Sequence, residues 1–368
     1  MDYEGRLKRV RSRMSSEGVE SFFVTNMVNL RYLSGFTGST ASLLVGPEAA
    51  WLFTDGRYKI RAAREVSGAD VVVFASKAEY PTKLKEAASG LRGKLAFEAG
   101  AVTVKARGES IEPPEGLDRL ETYFEGHELV PTKGWVEELR KVKEPEEIDR
   151  IRKAAELTDA AFNYIVEEIE VGKPERELAL DIEYHMRRNG ADAVSFDPIV
   201  AAAENSALPH YSPGGRTIEK GRYLLFDIGC KFEGYCSDLT RTVLIGPADD
   251  RHREIYDVVL KAQQVGLESV KAGARGDHAH AAVIKVFEDA GFPEAFSHGL
   301  GHGVGLEIHE APNLRTGYED VLEEGHVVTV EPGAYFEEWG GVRIEDLVVV
   351  GPDGPELLSS ARKDLIVL

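Results

Sequence analysis

The stretch from Phe226 to Arg241, FDIGCKFEGYCSDLTR, holds the first residues with a clear capacity for chemistry, the carboxylates of Asp227 and Asp238. β-favouring runs flank a turn near Phe232, Glu233 and Gly234, which reads as a β-hairpin. The two aspartates are eleven positions apart, and a two-residue loop puts positions of that parity on one face. Like charges roughly 4.5 to 5.5 Å apart across strands repel, so such a pair calls for a proton, a cation or open water between them. Taken alone, the stretch also fits a solvated hairpin with two surface acids.

A second acidic pair lies in VVTVEPGAYFEEWGGVRIEDLVVV. Val327 to Val330 and Val342 to Val350 read as strands, with Glu331 at the end of one and Glu345 sharing a face with Arg343 on the other. Two charges on one strand face imply a polar partner opposite. Upstream, SHGLGHGVGLEIHEAP brings His298, His302 and His309 within twelve residues, out of ten histidines in the chain. The spacing of His298 and His302 would suit a helical metal pair. Gly299, Gly301, Gly303 and Gly305 oppose a helix there, so the segment reads as a loop or irregular strand whose backbone passes close to a site. One lone histidine is usually structural; three so close together point to function.

The elements that must position these groups form an internal repeat. Helix 146–170, Gly172, helix 175–189 and Gly190 precede Asp227 by 37 residues, and helix 251–271, Gly273, helix 276–290 and Gly291 precede Glu331 by 40. Each half carries an eighteen-residue glycine interval and ends in a hairpin with two acids. A duplicated helix-helix-hairpin unit related by a pseudo-twofold axis would bring all four carboxylates together. Ahead of it, residues 3–17 carry Leu7, Val10 and Met14 at helical spacing and stop at Gly18. Short apolar runs at 21–25, 41–45, 49–54, 71–75 and 95–98 alternate with helical patterns such as 78–88, which describes an α/β domain. The boundary is expected near Pro131, giving domains 1–131 and 132–368.

Composition limits the function classes. The chain has 368 residues, longer than one core usually supports, with 43% apolar and 29% charged residues. A net charge of −19 opposes binding to nucleic acid or anionic membrane surfaces. No apolar run approaches the ~20 residues of a membrane span, and the charged first helix is unlike a signal peptide; a cytoplasmic protein is expected. Cys230 and Cys236 fall on opposite faces of the hairpin, poor geometry for a disulfide.

Asp227, Asp238, His302, Glu331 and Glu345 together offer oxygen ligands and one nitrogen, a set that suits Mn²⁺, Co²⁺, Fe²⁺ or Zn²⁺. Four carboxylates carry −4, which two divalent ions neutralise. Two ions ~3.5 to 4 Å apart can acidify a shared water near neutral pH, so the expected chemistry is metal-assisted hydrolysis.

This ordered series, set in FDIG, SDLTRT, HGLGHGVGLEIHE, VEPG and RIED, resembles the pita-bread metallopeptidases over nearly the whole chain. It is most similar to the proline-specific branch of Xaa-Pro aminopeptidases and Xaa-Pro dipeptidases (prolidases), which also carries an N-terminal α/β domain. The resemblance implies an α/β (α+β) protein with a creatinase-like N-terminal domain and a pseudo-symmetric pita-bread catalytic domain. It implies that Asp227 and Glu331 each serve mainly one metal or the other with His302, while Asp238 and Glu345 bridge, and it favours two Mn²⁺. It also implies that His210, in SALPHYSP, lies beside the substrate; a satisfied loop histidine fits that position as well. By the same resemblance His309 polarises the scissile carbonyl, His298 contacts the prolyl side and Arg343 holds a carboxylate or a downstream residue. Glu331 would carry the proton to the leaving imide nitrogen. A homodimer, with each N-terminal domain walling off the neighbour's active site, is implied too. Creatinase shares the fold without the metals, and methionine aminopeptidases share the ligands but generally lack the N-terminal domain. A non-catalytic binding protein on the same fold is the reading from another class. The FTGS stretch at 36–39 and the compact N-terminal domain look more like the short bacterial aminopeptidases, so release of the residue before proline from peptides is expected first, and restriction to dipeptides second.

Overall fold

Asp2 caps the first helix, Tyr3–Ser16, by accepting the Gly5 amide at 2.8 Å, and Leu7, Val10 and Met14 form its buried stripe. The helix belongs to the first of two units, Met1–Arg140 and Lys141–Leu368, in a computed structural model that describes residues 1–102 and 117–368. The first unit is built on a mixed six-stranded sheet in the order Asp70–Phe74, Ala50–Asp55, Ala41–Val45, Ser21–Val24, Lys94–Glu98, Glu128–Thr132. Pro131 sits inside the last strand, opposite Phe97. Helix Trp135–Lys141 follows, and buried Asn29 ties it to the sheet by donating to Glu98 and Glu137, both at 2.7 Å, and accepting from Arg140 at 2.8 Å. These bonds carry the first unit to Arg140, nine residues past the expected boundary at Pro131.

The second unit contains the repeat. Its helices are Pro145–Glu167 and Glu175–Arg188 in one half, Asp250–Ser269 and Gly276–Asp289 in the other. Gly172, Gly190, Gly273 and Gly291 all have φ between 83° and 113°, the left-handed region that a Cβ disfavours, which is why glycine recurs after each helix. Each half has its own apolar core. Ile165, Leu178, Ile182 and Met186 pack on Phe226 and Leu239, while Val259, Val283 and Phe287 pack with Val328, Val330 and Val348.

Each half also holds a long, interrupted hairpin. In the first, Arg222–Ile228 pairs with Leu239–Ile245, and the same register continues beyond a break to Phe232 opposite Tyr235. The two-residue turn is Glu233-Gly234, both at positive φ, 46° and 83°. In the second, Val327–Val330 pairs with Asp346–Val350, and the register resumes in Gly333–Phe336 with Gly340–Arg343. The single strand expected over Val342–Val350 is therefore broken at Ile344 and Glu345. The Ile344 amide still reaches its register partner, Pro332 O (3.4 Å), whereas the Glu345 amide leaves the ladder for Thr240 O (3.1 Å) in the other half. The halves are further joined where the Thr242 hydroxyl donates to Arg343 O at 3.0 Å and accepts the Arg343 amide at 3.1 Å. Among the described residues no helix is long and apolar enough to cross a membrane.

Candidate metal centre and active site

The interruptions in the two hairpins are where the acids sit. Asp227 lies on its strand opposite Thr240, and Asp238 precedes that partner by two residues, so both point to one face, as parity requires. Glu331 and Glu345 lie in the break of the second hairpin, directly following Val330 and preceding Asp346. Ligand oxygens of Asp227, Asp238 and Glu345 all lie within 4.8 Å of one another. His302, on the short strand Gly301–Gly303, brings its Nε2 to 3.6 Å from Asp238 and 3.4 Å from Glu331. The five candidate ligands thus converge from both halves.

Glycine is what allows His302 to reach them. A Cβ at Gly301 would lie 2.0 Å from Thr329 O, and one at Gly303 would lie 2.3 Å from Ala311 O, so this strand tolerates side chains at neither neighbour of the histidine. The expected loop or irregular strand is a strand of three residues with a register shift at His302/Gly303.

Hydroxyl groups aim the carboxylates. Thr240 donates to Glu345 at 2.7 Å and accepts from Arg343 Nε at 3.0 Å; Thr329 donates to Glu331 at 3.0 Å and accepts the His302 amide at 3.1 Å. Arg343, only 3% exposed, also donates to Asp227 at 2.5 Å and to the Tyr335 hydroxyl at 2.9 Å. Tyr335 in turn lies 2.8 Å from His298 Nε2, while His298 Nδ1 faces the Gly299 carbonyl at 2.8 Å. A carbonyl only accepts, so His298 carries its proton on Nδ1 and Tyr335 donates to Nε2. Burial pushes the His298 pKa down to about 4 and keeps the ring neutral.

The electrostatics test whether a cation fits. Burial, then Glu345, Asp227 and Glu331, raise the Asp238 pKa well above the carboxylate range. Burial followed by Glu331 and Asp227 does the same to Glu345, and burial lifts Glu331 to about 7 against the pull of Arg343. His302 donates from Nδ1 to Gly303 O at 3.1 Å and burial lowers its pKa, so a bare Nε2 lone pair faces two carboxylates. Lone pairs aimed at one another are what a divalent cation resolves, and the histidine is held in the metal-binding tautomer by its backbone bond. Arg343 belongs to the cluster as well. Formally −4 from the acids and +1 from the guanidinium leave −3, so one divalent ion would bring −1 and two would bring +1. The count of −4 read from sequence omitted this cation.

The remaining candidates surround the centre. His309 is exposed, with its ring 4.4 Å from that of His302. His210 is exposed on the segment following Ala203–Ala207, near enough to act electrostatically on Glu331, His298 and His309. Sequence reasoning passed over Thr240, Thr329 and Tyr335. The threonines stand two residues from Asp238 and Glu331 on the same strand faces, a period-two signal that was available. Tyr335 lay between the two runs read as strands and left no such mark.

The family model described as Metallopeptidase family M24 matches residues 149–352, and the one described as Creatinase/Prolidase N-terminal domain matches residues 6–142. A protein named Xaa-Pro dipeptidase from Pyrococcus furiosus is 34% identical, covering 98% of this chain and 99% of its own. Among solved structures, an Xaa-Pro dipeptidase from Bacillus anthracis is similar with a TM-score of 0.91 at 38% identity, covering 100% of both chains. An X-Pro aminopeptidase from Thermotoga maritima gives a TM-score of 0.88 at 33% identity, over 97% of this chain and 100% of its own.

Proposed function

Because the chain belongs to metallopeptidase family M24, with a Creatinase/Prolidase N-terminal domain ahead of a pita-bread catalytic unit, we propose that it is an Xaa-Pro dipeptidase. This reverses the order expected from sequence, in which cleavage of longer peptides came first. Relatives and solved structures bearing the dipeptidase or prolidase name, over nearly the full chain, support the reversal. The observation that carries the proposal is the convergence of Asp227, Asp238, His302, Glu331 and Glu345 with the guanidinium of Arg343 among them.

In this reading the five residues hold two divalent ions, a number taken from the family, with Mn²⁺ favoured and Zn²⁺, Co²⁺ or Fe²⁺ admissible by the same donors. When bound, the ions supply Lewis-acid polarisation and an acidified water as nucleophile. Glu331, aimed by Thr329, carries a proton to the prolyl nitrogen as the peptide bond breaks. His309, exposed beside His302, donates to the scissile carbonyl oxygen. His298, neutral and locked between Tyr335 and Gly299, offers its ring to the prolyl side, and His210 stands beside the substrate. Arg343 supplies the cation for the carboxylate of a C-terminal proline. A homodimer is part of the proposal, and sedimentation as a concentration-independent monomer would count against it; so is a cytoplasmic location, to which two free thiols, Cys230 and Cys236, are suited.

The deciding measurement compares kcat/KM for an Xaa-Pro dipeptide with that for the same peptide extended by two residues. A dipeptidase loses more than a hundredfold on extension, about 2.7 kcal/mol of transition-state binding. Comparable values for the two peptides would restore the aminopeptidase reading, which the Thermotoga maritima structure favours.

A further inference from the structure

His210 has an unusual support. Among the described residues no hydrogen bond holds its ring, so its place beside the metal centre depends on the backbone of the segment that carries it. That backbone is gathered by one carboxylate. Glu175, the first residue of helix Glu175–Arg188, is 0% exposed. Its Oε1 accepts the Ala202 amide at 2.7 Å and Asn205 Nδ2 at 2.9 Å; its Oε2 accepts the Tyr211 hydroxyl at 2.7 Å and the Gly214 amide at 3.2 Å. The donors therefore come from both ends of the segment and from the residue adjoining His210. Four donors fill the acceptor capacity of a carboxylate. Asn205 Nδ2 also donates to the Tyr211 hydroxyl at 2.8 Å, which makes the three side chains one network.

The segment is pressed against the catalytic centre at its other side. Ala203 is held at φ 54°, a left-handed conformation that is unfavourable for a residue with a Cβ and persists only under outside constraint. Ser206 accepts the Gly341 amide at 2.8 Å, and a Cβ at Gly341 would lie 2.3 Å from Ser206 O. Gly341 belongs to the strand that carries Arg343. One end of the segment thus rests on the Arg343 strand, and the whole is anchored on Glu175.

We propose that Glu175 is a positioning residue for His210: its buried carboxylate fixes the segment 202–214 so that the imidazole stands at the substrate. The inference deepens the role proposed for His210 and rests on it. Glu175 touches neither the candidate ligands nor the reacting atoms, so its effect on turnover must pass through that segment.

A double-mutant cycle on the metal-loaded enzyme tests this, with an Xaa-Pro dipeptide as substrate and metal content matched among variants. Glu175→Gln keeps one acceptor oxygen but turns a donor toward the Gly214 amide. It is expected to lower kcat/KM about tenfold or more in the parent and less than about twofold in the His210→Ala background. The His210 ring resonance, identified by its loss in His210→Ala, should shift in Glu175→Gln while that of His252, tied to Asp249 at 2.7 Å, stays in place. Equal losses in both backgrounds, or an unmoved His210 resonance, would overturn the positioning role while leaving His210 at the substrate. A silent His210→Ala would remove the premise itself, and with it this inference. Should Glu175→Gln fail to fold, Tyr211→Phe, which deletes one of the four donors, is read in the same cycle and must show the same non-additivity in smaller measure.

Discussion

Removing the metals is expected to invert the dependence of the catalytic unit's stability on pH. Without cations, burial raises the pKa of Glu331 from its ordinary 4.5 to about 7, and raises those of Asp238 and Glu345 in the same direction. An acid whose folded pKa is raised binds more protons when folded than when unfolded. Its protonated form is the stable one, and stability falls as pH rises from the unfolded value through the folded one. For Glu331 alone, the rise from 4.5 to about 7 at 1.36 kcal/mol per pKa unit comes to about 3 kcal/mol lost between pH 4.5 and 7. About 2.5 kcal/mol of this falls between pH 5 and 8, and for a unit of this size each kcal/mol moves Tm by about 2–4 °C, so the chelated protein should melt about 5–10 °C lower at pH 8 than at pH 5, with Asp238 and Glu345 adding to the fall. With metal bound the same carboxylates must be ionised to coordinate, and protons compete with the ion. Stability of the loaded enzyme should then rise over the same window. The assay is differential scanning calorimetry of chelated and Mn²⁺-loaded protein from pH 5 to 8 at constant ionic strength. A chelated protein whose Tm is flat or rises across that range would refute the frustrated-carboxylate account of the site.

Asp238→Ala, and separately Glu345→Ala, should abolish occupancy by two ions, read by elemental analysis of dialysed protein, and near-normal activity in Asp238→Ala would sink the ligand assignment. Tyr335→Phe removes the donor to His298 and an acceptor for Arg343, at a cost of about 1–3 kcal/mol in kcat/KM, with folding stability changed less than turnover; parental kinetics would show that the relay does not matter. Arg241 is buried at 1% exposure, donating to the backbone of Glu345 and Ala361 and pairing with Asp346 at 2.7 Å, so Arg241→Met should cost about 3–5 kcal/mol in urea unfolding. Asp346 keeps Lys363 at 2.6 Å and Gln263 at 2.7 Å, so adding Asp346→Leu should deepen the loss by leaving those two groups unpaired; a double mutant more stable than the single would argue otherwise.

The repeat, the two hairpins and the convergence of their acids were legible because each has a periodic signature. Glycine intervals marked the helix ends, and the left-handed φ values at Gly172, Gly190, Gly273 and Gly291 are the physical cause of that punctuation. Parity within the first hairpin placed Asp227 and Asp238 on one face, and also separated Cys230 from Cys236, both of which are free and buried. The break at Ile344 and Glu345 was not legible, because a run of β-favouring residues gives no sign that the Glu345 amide bonds to the opposite half.

By itself, then, the sequence determined the local order of elements and the chemical types brought to the centre, since backbone propensity, glycine placement and hairpin parity act over a few residues. Tertiary structure alone decided which charges face one another. Arg343 entered the acidic cluster through Asp227, 116 positions away, Thr240 reached Glu345 across 105, and Glu175 collected the His210 segment over as many as 39. Such pairings depend on packing two halves together and on burial, which raises the energy of every unpaired charge until a partner is found; neither is a property of any window of residues.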